Sequence, residues 1–226
     1  MKKLINGIVN FREKLKPSYR EKFAQLALGQ SPDALFIGCS DSRVAVNVFA
    51  STDPGDLFVV RNVGNMVPPC DKAGVSTADG SEAAAIEFAL SALKVSHIIV
   101  CGHSECGAMQ ALSAGRKNVK SDNLRSWLRH GEAGLKDLIK RPYFAKQLSK
   151  HNRLSQLNVL RQIENLKTYP LIKERLRAGT LNLHGWWFEL GRADVYAYEP
   201  SEEKFVLFNR RQALKIIRRL DGRSKA

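Results

Sequence analysis

The stretch Ala34-Leu35-Phe36-Ile37-Gly38-Cys39-Ser40-Asp41-Ser42-Arg43 is a short apolar run that ends in a soft metal ligand, a carboxylate and a guanidinium at alternate positions. The apolar part has the length and composition of a buried strand, and the polar part falls where that strand gives way to a loop. In extended backbone, residues two apart face the same way, so Cys39, Asp41 and Arg43 are able to converge on one small volume. A second stretch of the same design, Ile98-Ile99-Val100-Cys101-Gly102-His103-Ser104-Glu105-Cys106-Gly107, carries a β-branched run into a loop with His and Cys three apart. Together the two strand ends offer Cys39, Asp41, His103 and Cys106. Thiolate and imidazole are the ligands zinc prefers in tetrahedral geometry, and two thiolates with one imidazole leave a fourth position for water or carboxylate. A lone Cys39 and a distant His103-x-x-Cys106 make no self-contained knuckle, so the fold has to unite them.

Each of these residues also has a plain structural use. A buried Cys at a strand end is commonly a small hydrophobe, which is the reading for Cys70 and Cys101. Cys39 and Cys106 read as ligands because Asp and His neighbours are wasted on a plain core. Alone, His103 would pass for a core or surface histidine; three residues before Cys106 it reads as a ligand. An Asp41–Arg43 salt bridge capping the loop does not compete with a catalytic use. His97, His130, His151 and His184 carry no partner pattern and read as surface or core. From residue type alone, Phe58, Val63 and Phe88 are packing.

Working outward, 53–56 (Asp-Pro-Gly-Asp) is a turn, 57–60 a second strand with Arg61-Asn62-Val63-Gly64-Asn65 leaving its end, 81–93 a helix and 97–101 a third strand. Strand, crossover helix and strand imply a parallel sheet, in which ligands gather beyond the carboxyl ends of strands. Cys39, Arg61 and His103 all lie just beyond such ends. Residues 181–188 return to strand composition, and 204–208 read as an edge strand before a basic C-terminal helix. The region 124–177 reads as helical scaffold, with Pro142 and Pro170 as breaks and no further ligand cluster. Leu4, Ile8, Phe11 and Leu15 form an apolar stripe at helical spacing, and 19–28 reads as a helix closed by Gly29. The expected fold is α/β, a mostly parallel central sheet flanked by helices. It forms a single domain over 1–226, with a helical arm (1–28), an α/β core (34–209) and a basic C-terminal helix (210–226).

With 226 residues, 44% of them hydrophobic, and no Pro/Gly/Ser-rich linker, the chain can bury a sizeable single core. A formal charge of +14 and a pI near 9.8 raise the question of nucleic acid. The basic residues, however, are spread over many helices and no recognition-module signature accompanies them, so no nucleic-acid partner is expected. The four cysteines are unevenly spaced and three lie in the two site stretches, which suits a metal site better than disulfides and implies a reducing, cytoplasmic location. The basic N-terminus lacks a continuous apolar signal region, and no stretch approaches a membrane span, so no membrane partner is expected.

The combination of CSDSR at 39–43, RNVGN at 61–65 and GHSECG at 102–107 resembles the β-class carbonic anhydrases, over a region running from Gln30 to Trp186. The resemblance implies one Zn2+ per chain on Cys39, His103 and Cys106, with Asp41 a fourth ligand in one state. It also implies reversible hydration of carbon dioxide to bicarbonate and a proton by zinc-bound hydroxide. Asp41 then accepts a hydrogen bond from the nucleophile, and Arg43 keeps Asp41 ionised and turned away from the metal. Two thiolates cancel the formal charge of the ion, so its water should ionise at higher pH than one beside three imidazoles. The resemblance further implies that the Gly107 amide and the Gln30 side chain hydrogen-bond substrate oxygen. Gln30 reaches in from a partner subunit, and Phe58, Val63 and Phe88 line the substrate cavity. A homodimer or higher homo-oligomer is implied, its N-terminal helix embracing a neighbour. Some members hold inhibitory bicarbonate between a Trp, an Arg and a Tyr. Here Arg61 matches, but Phe36 and Phe188 replace the other two, so that pocket should be empty and the site open. This is closer to the plant-type branch, to which Gln30 and 66–69 also point. Two rivals are a carbon disulfide or carbonyl sulfide hydrolase on the same zinc site, and a structural zinc in a nucleic-acid-binding protein.

Overall fold

Every residue of Ala34–Cys39 is buried in the computed structural model, which describes residues 1–78 and 80–223. A strand buried on both faces belongs inside a parallel sheet covered by helices. This strand, β1, lies between β2 (Leu57–Asn62) and β3 (His97–His103) and runs parallel to both. Beyond β3 come β4 (Asn182–Glu189), parallel, and then β5 (Asp194–Glu199) and β6 (Lys204–Leu207), antiparallel. The order is β2-β1-β3-β4-β5-β6. Cys39 pairs with Asn62, and Gly38 pairs with both Arg61 and Cys101, so the three neighbouring strands end level with one another.

The helices are α1 (Lys2–Asn10), α2 (Lys16–Leu26), α3 (Val46–Phe49), α4 (Ser81–Ser91), α5 (Gly107–Ala114), α6 (Asp122–Trp127), α7 (Glu132–Lys140), α8 (Lys150–Leu166), α9 (Pro170–Arg177) and α10 (Arg210–Arg223). Alternation along the strands divides the core. Leu35, Ile37, Ile98 and Val100 pack with Ile86 and Leu90 of α4, Val159 and Leu166 of α8 and Ile172 of α9. Phe36, Ile99, Cys101 and Phe188 face the other way, against Val46 and Phe49. Each fully buried aliphatic side chain contributes about 1.5–3 kcal/mol. A third apolar group, Met66, Cys106, Met109, Leu112, Leu154 and Leu157, surrounds Cys39.

Three differences from the sequence expectation have physical reasons. The strands reach further, because pairing persists to Cys39, Asn62 and His103; Cys39 and His103 are the last residues of their strands and not the first of a loop. The strand β5 was not expected. It is short and charged at both ends, and it exists by pairing with β4 and β6. The arm is one helical run from Lys2 to Leu26, and its last turn is capped at Ala27, not Gly29. Pro17 has no N–H to donate, and the turn Phe11–Leu15 just before it widens to π hydrogen bonding, Lys16 N–H to the Phe11 carbonyl. No side chain of that arm is buried.

Candidate metal centre

Cys39, His103 and Cys106 meet at the carboxyl ends of β1 and β3, their ligand atoms all within 4.8 Å of one another and all three residues buried. The His103 ring is completely buried, and its Nε2 has no hydrogen-bond partner. Its Nδ1 lies 2.8 Å from the Ser104 carbonyl, an acceptor that requires the proton on Nδ1 and leaves the Nε2 lone pair facing the two sulfurs. A buried imidazole nitrogen left bare beside two thiols is a ligand set, and it fits zinc. The neighbouring Cys106 thiol, the His103 ring and the amides of Gly64 and Asp41 together lower the Cys39 pKa against the cost of burial. Cys106, facing that thiolate from a buried position, is pushed up. The Gly64 amide donates to Cys39 Sγ at 3.3 Å. Its φ of +84° and the contacts of 3.0 Å that a Cβ would make with Ala108 and Met66 explain a glycine there.

Asp41 and Arg43 meet through a turn rather than by strand alternation, the Val44 amide closing on the Asp41 carbonyl at 3.0 Å. Arg43 Nε and a terminal nitrogen reach the two Asp41 oxygens at 2.9 and 2.7 Å, a bidentate pair. The Arg43 hydrogen bonds hold the Asp41 carboxyl well below the usual carboxylate range. Asp41 Oδ2 stops 3.8 Å from His103 Nε2, outside the metal-holding group. Arg61 braces the turn from below, its Nε on the Cys39 carbonyl at 3.0 Å and a terminal nitrogen on the Asp41 carbonyl at 2.6 Å. The ring of Phe49 stacks on Phe188 at 4.6 Å and tilts against Phe36, so at the Phe36 and Phe188 positions an anion meets apolar rings.

Sequence reasoning took the helical region as scaffold and missed what α8 does. Ser155 Oγ donates to the His103 carbonyl at 2.7 Å, Asn158 Nδ2 to the Gly64 carbonyl at 3.0 Å, and Gln162 Oε1 accepts from the Val67 amide at 2.8 Å. Asn152 Oδ1 accepts from the Glu105 amide at 2.8 Å. Polar residues at 152, 155, 158 and 162 recur at helical spacing, but only the fold buries that stripe and so reveals it. Glu105 itself has a φ of 54°, a left-handed conformation that costs a non-glycine residue about 1–2 kcal/mol.

Of the remaining expected residues, two lie at the metal end. Gly107 opens α5 directly after Cys106, with open space where a side chain would project, and Val63, 42% exposed, gives its carbonyl to Trp127 Nε1 at 2.8 Å. Phe58 and Phe88 pair with ring centroids 5.8 Å apart, but Phe58 is level with Leu35, four residues before Cys39. Gln30 lies before the start of β1, in a surface hollow with Phe23, Leu26 and Pro54. The six residues of β1 put about 20 Å between it and the metal end of its own chain. His97 and His184, read as unpartnered, stand 3.0 Å apart across β3 and β4, and His151 meets Glu105.

Fold and site thus define an α/β protein with a buried group of two cysteines and one histidine at its strand ends, able to hold a zinc ion. The family model described as carbonic anhydrase matches residues 34–195. A carbonic anhydrase of Synechocystis is 42% identical over 91% of this chain and 74% of its own length, and one of Pseudomonas aeruginosa is 36% identical over 91% of each. Among solved structures, the β-carbonic anhydrase CcaA superposes with a TM-score of 0.83 at 42% identity over 93% of both chains. A tetrameric β-carbonic anhydrase of Sordaria macrospora gives 0.73 at 30% identity over 87% of this chain and 95% of its own. The chain belongs to the β-carbonic anhydrases, zinc lyases that interconvert carbon dioxide and bicarbonate.

Proposed function

We propose that this chain hydrates carbon dioxide at a zinc ion held by Cys39, His103 and Cys106, with Asp41 as the acceptor that orients the nucleophile. The observation that carries this reading is the bidentate Arg43 grip on Asp41, 3.8 Å from the bare His103 Nε2. A bound zinc ion supplies an acidified water, and with it hydroxide near neutral pH, for attack on carbon dioxide. Asp41, kept ionised by Arg43, is acceptor-only and fixed in direction, so it selects one orientation of the attacking group. Arg43 also keeps that carboxylate out of the ligand set. The Gly107 amide, in the first turn of α5 and without an intrahelical acceptor, is positioned to donate to substrate oxygen.

Gln30, Phe58 and Phe88 serve the site of a second copy. Their distance from their own metal end and the exposure of Phe88 (47%) support a homo-oligomer, as does the arm, whose Leu4, Ile8 and Leu15 stand exposed. The tetramers reported for the Sordaria macrospora enzymes point the same way. One domain spans the chain. Among the described residues no helix is long and apolar enough to cross a membrane, and four free cysteines favour a reducing, cytoplasmic setting. Stopped-flow hydration and metal analysis test the core of the reading. Cys106→Ser and chelator treatment should each remove zinc and activity together, and full zinc content in Cys106→Ser would refute the ligand set.

A further inference from the structure

Glu105 sits between the ligands His103 and Cys106 and is held from two sides. On the α8 side, its amide donates to Asn152 Oδ1 at 2.8 Å and its Oε1 accepts from Asn152 Nδ2 at 2.9 Å. Its Oε2 lies 3.0 Å from His151 Nε2 and 3.3 Å from Gln110 Nε2. A carboxylate only accepts, so the His151 proton on that bond is assigned to Nε2. On the other side, the Glu105 carbonyl accepts from Arg43 at 3.1 Å, through the same terminal nitrogen that holds Asp41 Oδ2. The left-handed backbone at Glu105 is what turns its N–H toward α8 and its C=O toward Arg43. The His103 ligand is fixed apart from these bonds, its carbonyl held by Ser155 and its ring by the Ser104 carbonyl.

We propose that His151, Asn152 and Glu105 form a clamp that positions Arg43, and through it keeps the Asp41 carboxylate on the guanidinium and out of the ligand set. The inference rests on the reading of Asp41 and Arg43 given above. The Arg43 side chain is 52% exposed, and the bond to Glu105 ties it to the second loop. Without that tie the guanidinium has only the Asp41 carboxylate to hold it and is able to swing away toward solvent, releasing Asp41 Oδ2, which starts only 3.8 Å from His103 Nε2. His151, Asn152 and Glu105 are positioning residues: they act through Arg43 and touch no reacting atom.

His151→Leu removes the donor and His151→Gln keeps an N–H at similar reach, while Asn152→Ala opens the clamp independently. In the zinc enzyme, His151→Leu should retain one zinc per chain and an unchanged KM while kcat falls about tenfold, with His151→Gln restoring most of it. In the cobalt-substituted protein, His151→Leu should shift the visible spectrum toward that of carboxylate coordination, and adding Asp41→Asn should abolish the shift. Wild-type kcat and spectrum in both His151→Leu and Asn152→Ala would overturn the clamp. So would equal losses in His151→Leu and His151→Gln with an unshifted cobalt spectrum. Arg43→Ala separates the two levels: if it too is unimpaired, the Asp41–Arg43 reading fails, whereas an impaired Arg43→Ala beside normal clamp variants sinks the clamp alone.

Discussion

Both Asp41 oxygens are taken by Arg43, one of whose terminal nitrogens also donates to the Glu105 carbonyl. The Arg43 hydrogen bonds lower the Asp41 pKa from its ordinary value, which favours the ionised, acceptor-only carboxylate at neutral pH. Asparagine keeps the size of this side chain but brings a donor where an acceptor is needed. Asp41→Asn is therefore expected to bind zinc normally and lose about a hundredfold in hydration rate, since orientation and not metal affinity is removed. Stopped-flow rates beside metal analysis check this, and unchanged turnover would refute the orienting role.

At the scale of elements, the approach of α8 to β3 decides whether the ligands stay in register. A Cβ on Gly102 would stand 2.8 Å from Val159 Cγ2 and 3.2 Å from the Ser155 carbonyl oxygen, so a glycine is what lets the helix reach the strand. Gly102→Ala should cost about 1–3 kcal/mol in urea unfolding, as overpacked sites do, with weakened zinc retention because Ser155 is displaced from the His103 carbonyl. The helix α10 depends on a different element contact. Glu199, 2% exposed in β5, meets Gln212, Lys215 and Arg219 of α10. Burial raises its pKa, but the Gln212 and Ser201 hydrogen bonds with the Arg219 and Lys215 charges outweigh it, and the net shift is downward from 4.5. A carboxyl depressed in the folded state stabilises above its unfolded pKa and loses that contribution as pH falls through its folded one. Glu199→Gln should thus be about 1–3 kcal/mol less stable than the parent at pH 7, and the gap should narrow as pH falls from 4.5 through the folded-state pKa. A gap independent of pH would exclude this linkage.

For the whole molecule, the question is where one active site ends and the next copy begins. If Gln30 completes a neighbour's site, two damaged chains can make one sound site between them. Gln30→Ala keeps its zinc but lacks the side chain, while Cys106→Ser lacks zinc but carries an intact Gln30. Each variant alone should be impaired, and refolding them together should regain about a quarter of wild-type activity, the share of sites that combine two intact halves in a random dimer. Activity that never exceeds the average of the separate variants would place Gln30 in its own chain's site or in none.

The group of Cys39, His103 and Cys106 that the fold brings together, and the Asp41–Arg43 pair, were legible in the chain because chemistry so specific leaves a local mark: Cys39, Asp41 and Arg43 within five residues, His103 and Cys106 within four. The parallel strands were legible for the same reason, as runs of apolar residues that only a doubly covered sheet can bury. Tertiary structure alone decided what holds that chemistry still. Asn152, Ser155, Asn158 and Gln162 are unremarkable polar residues of a charged helix until folding lays them on the backbone carbonyls and amides of two loops about fifty to ninety-five positions earlier. The strand β5 and the ends of β1 and β3 are fixed by their neighbours' hydrogen bonds, not by their own composition. Local sequence records what a residue can do; partners brought together over such separations decide which of those things it does, because hydrogen bonds form between surfaces that exist only once the chain has folded.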